Sequence, residues 1–190
     1  MEQKLYTYLY SGRDGMTSLM YAVYNGHEDV VSSLLAHGAE LNLQDDEGYT
    51  ALTYAVELSK ESIVTTLLEN GAEVNVRDKR GYSELMTATV NWNYEIVSIL
   101  LENGADIDMA NVGTLPNYGD DYIEAQEGDG NTALMYAADI GSESITSILL
   151  DYGANINITN RFGETALSIA MKKGHSRVVD ILKQDETSIE

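Results

Sequence analysis

One pattern, Gly-x-Thr/Ser-x-Leu-x-x-Ala, opens at Gly15, Gly48, Gly81, Gly130 and Gly163. A second mark, Gly-Ala, begins at Gly38, Gly71, Gly104 and Gly153, with the same successive steps of 33, 33 and 49 residues. Two rulers keeping one set of intervals mean that the chain consists of like units, each marked at both ends. A unit this small has no second face against which to bury its apolar side chains, so such units stack on one another.

The stretch from Asp46 to Asp78 is an uninterrupted example. Asp46-Glu47-Gly48 is turn chemistry, and Thr50 follows where a helix N-cap belongs, with a hydroxyl able to accept from a free backbone N–H. Leu52, Ala55 and Val56 give a short apolar stripe at helical spacing. After a break at Ser59-Lys60 a second helix begins near Glu61, with Ile63, Val64, Leu67 and Leu68 on one side. Gly71 ends it at the position where a left-handed conformation closes a helix, and Ala72 to Val76 leave in an alternating, extended manner. Ala22, Ala55, Ala88, Ala137 and Ala170 occupy one place in every unit, where a small side chain lets neighbouring helices approach.

A roughly 33-residue unit of turn, short helix, second helix and Gly-Ala-x-apolar-Asn exit resembles the ankyrin repeat. The match covers nearly the whole chain. First-helix starts read Thr17-Ser18-Leu19-Met20, Thr50-Ala51-Leu52-Thr53, Ser83-Glu84-Leu85-Met86, Thr132-Ala133-Leu134-Met135 and Thr165-Ala166-Leu167-Ser168. They keep the Thr/Ser and Leu of the family's Thr-Pro-Leu-His and lack its Pro and His, so capping and packing are retained while a stiffened first turn and some hydrogen bonding are given up. The resemblance implies an all-α, ankyrin-repeat solenoid of five stacked helix-turn-helix units with β-hairpin-like finger loops, forming a single domain over 1–190. Repeats are expected at about 13–45, 46–78, 79–111, 128–160 and 161–185. Residues 1–12, with Leu5, Leu9 and interleaved Tyr6, Tyr8 and Tyr10, are expected to form a degenerate N-terminal cap.

Gly104 and Gly130 are 26 residues apart where Gly71 and Gly81 are 10 apart, so 16 have been added. This insertion, about 112–127, carries the only proline, Pro116, and reads as irregular backbone. In the ankyrin arrangement it would lengthen a central finger. Long loops on rigid scaffolds often carry function, and they are also where insertions are simply tolerated. Asp120, Asp121, Glu124, Glu127 and Asp129 could suggest calcium, but their spacing fails the Asp-x-Asp-x-Asp-Gly loop and its closing glutamate.

Chemistry has little else to rest on. There is no cysteine, which removes disulfides, thiolate metal sites and cysteine nucleophiles and fits a reducing compartment. His27 and His175 sit in Gly-His turns, and His37 precedes Gly38 at a helix end, where the dipole favours positive charge. Neither a phosphate-cradling Gly-x-x-x-x-Gly-Lys nor His-Glu-x-x-His occurs. No enzyme activity, cofactor or metal is expected. The N-terminus lacks a basic-then-apolar leader and no apolar run approaches the ~20 residues of a membrane helix, so a soluble cytoplasmic protein with no membrane partner is expected, a monomer in the simplest case.

The formal net charge is −20, from 11 basic against 31 acidic residues, and no Lys or Arg occurs between Gly81 and Asn160. Nucleic acid is a poor partner for such a chain, because phosphate binding draws on clustered cations. The imbalance reads first as a solubility device and second as the complement of a basic partner. The expected function is a non-enzymatic protein–protein interaction module that holds a protein or peptide on its concave and finger surface. Its leading contacts are Tyr24, Tyr49 and Tyr82, joined by Asp46, Glu47, Arg80, Trp92 and, in the insertion, Asp120, Asp121 and Tyr122. Tyrosine and tryptophan at such positions matter because they dominate interface hot spots. Trp92, in place of a turn glycine, packs over a repeat joint or projects to a partner. Tyr21, Tyr54 and Tyr136 recur at one place in the unit and read as packing. Two other settings stay open: a host-directed effector of a bacterium or virus, and a metal-dependent or catalytic role centred on the insertion.

Overall fold

A computed structural model describes residues 15–113 and 128–188, and within them ten helices succeed one another. They are α1 (Ser18–Tyr24), α2 (Glu28–Ala36), α3 (Ala51–Glu57), α4 (Glu61–Glu69), α5 (Glu84–Val90), α6 (Tyr94–Glu102), α7 (Ala133–Ile140), α8 (Glu143–Asp151), α9 (Ala166–Lys173) and α10 (Ser176–Ser188). The cap expected at 1–12 lies outside the described residues, as do most of the insertion and with it Asp120, Asp121 and Tyr122.

Each odd-numbered helix starts as its sequence dictates. Thr17, Thr50, Ser83, Thr132 and Thr165 are N-caps in extended backbone, and each side chain accepts from the backbone N–H three residues on. The hydrogen bonding expected to be lost with the family's histidine is restored in two places by a hydroxyl. The N–H of Thr50 donates to Thr53 Oγ1 at 3.2 Å and that of Thr165 to Ser168 Oγ at 2.9 Å, closing capping boxes. At the other end of the unit, Gly71 adopts φ +89° while its N–H reaches Leu68 O and the Ala72 N–H reaches Leu67 O, which satisfies carbonyls left open at the end of α4.

Helices pair within a unit, α1 with α2 through α9 with α10, and the pairs stack in chain order in two layers. One layer runs α1, α3, α5, α7, α9 and the other α2, α4, α6, α8, α10. The core lies between them: Leu52, Val56, Ile63, Val64 and Leu67 in one pair meet Leu85, Ile96, Val97 and Leu100 of the next, all buried. Burying each such side chain contributes about 1.5–3 kcal/mol, and because each is covered partly by its neighbour, stability belongs to the stack rather than to any pair. Ala55, Ala88, Ala137 and Ala170 are wholly buried at the layer contacts, as close approach requires.

The exits between pairs form turns, with β-structure among the described residues limited to isolated bridges such as the antiparallel one between Arg77 and Ser83. One hydrogen-bond pattern closes each turn. Asp45 N–H donates to Tyr49 O and Gly48 N–H to Asp45 O; the same two bonds join Asp78 with Tyr82 and Gly81, and Asn160 with Glu164 and Gly163. Around the insertion Asn111 N–H donates to Asn131 O and Gly130 N–H to Asn111 O. The 16 extra residues therefore enter the chain within a turn that keeps the two closing bonds of an uninterrupted one, and α5 packs on α7.

Candidate functional site

The turn side chains prepare the surface. Asp45 and Asp78 are buried; one carboxylate oxygen of each accepts two turn N–H groups, from Glu47 and Tyr49 in the first case and Arg80 and Tyr82 in the second. That leaves a second oxygen free to orient a side chain. Asp45 takes the Tyr54 hydroxyl at 2.5 Å, and Asp78 takes Arg80 at 2.8 Å. The fingertip carboxylates Asp46 and Glu47 stay exposed beside them.

These anchors assemble a row of rings across several units. Tyr24 meets Tyr54 edge-on with centroids 6.0 Å apart, and Tyr54 meets Tyr49 edge-on at 5.2 Å. The Arg80 guanidinium bridges the next gap, 5.6 Å from the Tyr49 centroid and 5.4 Å from that of Tyr82, while Arg80 Nη2 donates to the Tyr49 hydroxyl at 2.6 Å. Tyr82 stacks on Tyr136 at 5.4 Å, and the Tyr136 hydroxyl reaches Asp129 at 3.1 Å. Burial drives the Tyr49 phenol above its ordinary pKa against the pull of Arg80, and burial followed by the hydrogen bond with Tyr82 raises that of Tyr136 further. Both therefore remain neutral donors at physiological pH. Burial disfavours the Arg80 cation, but the hydrogen bond and charge of Asp78 outweigh it and raise its pKa. The row is thus a preset surface of aromatic faces and one pinned cation, edged by carboxylates.

The structure brings Tyr24, Tyr49, Tyr82 and Arg80 together, with Asp46 and Glu47 at the fingertip next to Tyr49. Two members of the row were read from sequence as packing only: Tyr54 and Tyr136 do pack, and they also connect the others. Their recurrence at one position was the available signal; the turn aspartates that hold their hydroxyls gave none until the turns were formed. Trp92 stands apart. It occupies the α5–α6 turn, beyond the C-terminal end of α5, whereas Tyr82 precedes the N-terminal end, a separation of roughly 15 Å at 1.5 Å per residue. Its side chain is 56% exposed, so it projects rather than packing over the joint.

Another residue carries chemistry that the sequence reading passed over. Glu84 begins α5 where α3, α7 and α9 have alanine, and it is 1% exposed. Oε1 accepts from Thr53 Oγ1 at 3.2 Å, the backbone N–H groups of Asn75 and Val76 lie beside the carboxyl, and Oε2 is buried without a partner. Burial overrides these hydrogen bonds and lifts its pKa to about 7. Among the described residues no group of His, Asp and Glu is arranged to hold a metal ion, and no helix is long and apolar enough to cross a membrane.

A family profile described as ankyrin repeats, in three copies, matches residues 3–78, 19–111 and 114–190. The chain belongs to the ankyrin-repeat family, whose repeats are generally protein–protein interaction modules and generally non-catalytic. Among curated proteins it is similar to a putative ankyrin repeat protein of Rickettsia bellii, 36% identical over 61 residues, which are 32% of this chain and 36% of that protein. It is 46% identical over 55 residues to a probable E3 ubiquitin-protein ligase, XBOS32, of Oryza sativa subsp. japonica, 29% of this chain and 11% of the ligase. Over 75 residues it is 32% identical to the human NAD-capped RNA hydrolase NUDT12, 40% of this chain and 16% of the hydrolase. The matched stretches thus span between 11% and 36% of these relatives.

Proposed function

We propose that this chain is a non-enzymatic binding module of five repeats, at about 13–45, 46–78, 79–111, 128–160 and 161–185, which holds a protein or peptide on its finger and first-helix surface in the cytoplasm. The observation that carries this reading is the continuous row Tyr24–Tyr54–Tyr49–Arg80–Tyr82–Tyr136. Fixing rings in place before a partner arrives reduces the ordering cost of association. Tyrosine and arginine are the side chains that most often dominate such contacts. Asp46, Glu47 and the overall charge of −20 favour a basic partner.

The test is affinity capture from a native lysate by the wild type and by a Tyr49→Ala/Tyr82→Ala double variant whose helicity has been verified. Loss of a specific partner from the variant, amounting to more than about 2 kcal/mol of binding, is expected. Capture of the same proteins in the same amounts would reject this surface.

A further inference from the structure

At the outer edge of the stack, where the two helices of each pair are joined, the α1–α2 and α7–α8 turns share one scheme. A polar or basic side chain from the following pair covers the turn before it. Lys60 reaches over the Gly26 turn, and the His175 ring sits against Gly141 with its Nε2 at 3.0 Å from Asp139 O. Lys173 pairs with Asp139 at 2.6 Å and Arg177 with Glu143 at 3.6 Å. Among the described residues the α5–α6 turn receives no such cover. The corresponding positions of the next pair hold Ser142, Ser144 and Ile140, in the middle of a stretch without any Lys or Arg.

What lies uncovered there is apolar and acid-edged. Val90, Trp92 and Tyr94 are 39%, 56% and 51% exposed. Glu57, Glu61 and Glu95 are exposed around them, and none of the three enters an ion pair among the described residues. Asn91 Nδ2 donates to Glu57 O and so ties the turn to the end of α3; a hydrogen bond with Glu95, followed by the Glu95 and Glu61 charges, raises the pKa of the Tyr94 phenol. Trp92 itself holds φ +61°, a left-handed conformation that the equivalent turns give to Gly26, Gly141 and Gly174. A bulky side chain in that conformation carries backbone strain, which packing does not repay here because the indole is exposed.

We propose that this edge is a second docking surface, separate from the tyrosine row, and that it takes a basic segment of a partner protein, an arginine or lysine resting on the Trp92 indole between Glu57, Glu61 and Glu95. The partner's cation does for this turn what Lys173 and Arg177 do for their neighbours from within the chain. Indole is the best aromatic face for a cation, and a flanking apolar side chain of the partner covers Val90 and Tyr94.

Trp92 is the only tryptophan, so its emission reports this edge alone. The probe is a short helical peptide of arginine and leucine lacking tryptophan and tyrosine, titrated into the full chain. A saturable shift in Trp92 emission is expected, weakened at least roughly tenfold in affinity by Tyr94→Ala or by Glu61→Gln/Glu95→Gln, which corresponds to about 1.4 kcal/mol. Tyr82→Ala should leave it unchanged, which separates this surface from the tyrosine row. By calorimetry, Trp92→Gly should lose the same affinity while its melting temperature rises, so the loss cannot be ascribed to misfolding. An unmoved emission, an equal response to a peptide of arginine and glutamine with the same charge, or full binding by Trp92→Gly would overturn the proposal.

Discussion

The pairs α3/α4 and α5/α6 are built on one frame 33 residues apart, and three of the differences between them stand out. Where α3 starts with Ala51, α5 starts with buried Glu84; where the α3–α4 turn has Ser59 in a left-handed conformation, the α5–α6 turn has Trp92; and the exit after α6 holds the insertion. The shared frame sets the positions of caps, apolar stripe and exit. Two of these departures place a costly residue where a cheaper one is present next door and the third lengthens the chain, and all leave the stacking of α5 on α3 and on α7 intact. The frame therefore tolerates local expense at joints and turns while the helices still stack.

The sharpest break in that comparison comes from two glycines with like backbones and unlike surroundings. Gly71 at φ +89° has open space where a Cβ would go, whereas at Gly81, φ +82°, a Cβ would come within 2.6 Å of the Gly113 backbone at the neck of the insertion. Gly71→Ala meets only the left-handed conformation and should cost about 1 kcal/mol. Gly81→Ala adds a clash with backbone that cannot rotate away and should cost about 2–4 kcal/mol. Thermal or urea unfolding measures both; equal losses would mean that the neck does not rest on Gly81.

Glu84 comes next. Its folded pKa of about 7 lies above the ordinary 4.5, so between those values the folded chain keeps a proton that the unfolded chain has released. Its contribution is complete below pH 4.5 and is lost as pH rises toward 7, a decline of about 3 kcal/mol for 2.5 units. Other carboxylates titrate too, so the measurement is the difference between wild type and Glu84→Ala, the residue that α3 carries. The variant should be more stable at pH 8 than the wild type and show a flatter dependence between pH 5 and pH 7. Parallel curves would show that Glu84 is ionised in the folded chain as freely as in the unfolded one.

Smaller again is the turn itself. Trp92→Gly removes the strain of a left-handed indole at the expense of a more flexible unfolded chain, and the net should be a gain of roughly 0.5–1 kcal/mol. Ser59→Gly in the neighbouring pair makes the same backbone exchange without giving up an aromatic contact surface, and should gain a similar amount. A loss of stability in Trp92→Gly alone would place the indole in packing.

The fold was legible because its determinants are local and repeated. Thr50 caps α3, Ile63 and Leu67 face the core and Gly71 closes α4, each in the role its spacing implied, since propensity and pattern agree there. The site was legible in part. Tyr24, Tyr49, Tyr82 and Arg80 are legible as finger and first-helix positions, but the row also depends on Tyr54 and on the second carboxylate oxygens of Asp45 and Asp78, which orient Tyr54 and Arg80 only once each turn has closed, and its links from Tyr24 to Tyr54 and from Arg80 to Tyr49 form only when neighbouring units stack. Glu84 escaped for a related reason: its position as the first residue of a capped helix suggests an exposed acid favoured by the dipole, and only stacking against Thr53 and the Asn75–Val76 backbone buries it.

The least effect should come from the most conspicuous departure. Deleting residues 112–127 joins Asn111 to Gly128 and gives the turn Asn111-Gly128-Asp129-Gly130-Asn131 the length of Asp78-Lys79-Arg80-Gly81-Tyr82. The bonds from Asn111 N–H to Asn131 O and from Gly130 N–H to Asn111 O already have the spacing of an uninterrupted turn, so the closed form exists beneath the insertion. Shortening a loop changes its closure entropy only slowly, by about 0.6 kcal/mol per doubling of length, and the α5–α7 contact is made by side chains outside the deleted stretch. Helicity by circular dichroism and the unfolding midpoint should both stay within about 1 kcal/mol of the wild type. A large loss would mean that the inserted residues carry part of the joint between α5 and α7, and that the two halves of the stack are held together by more than their shared apolar stripe.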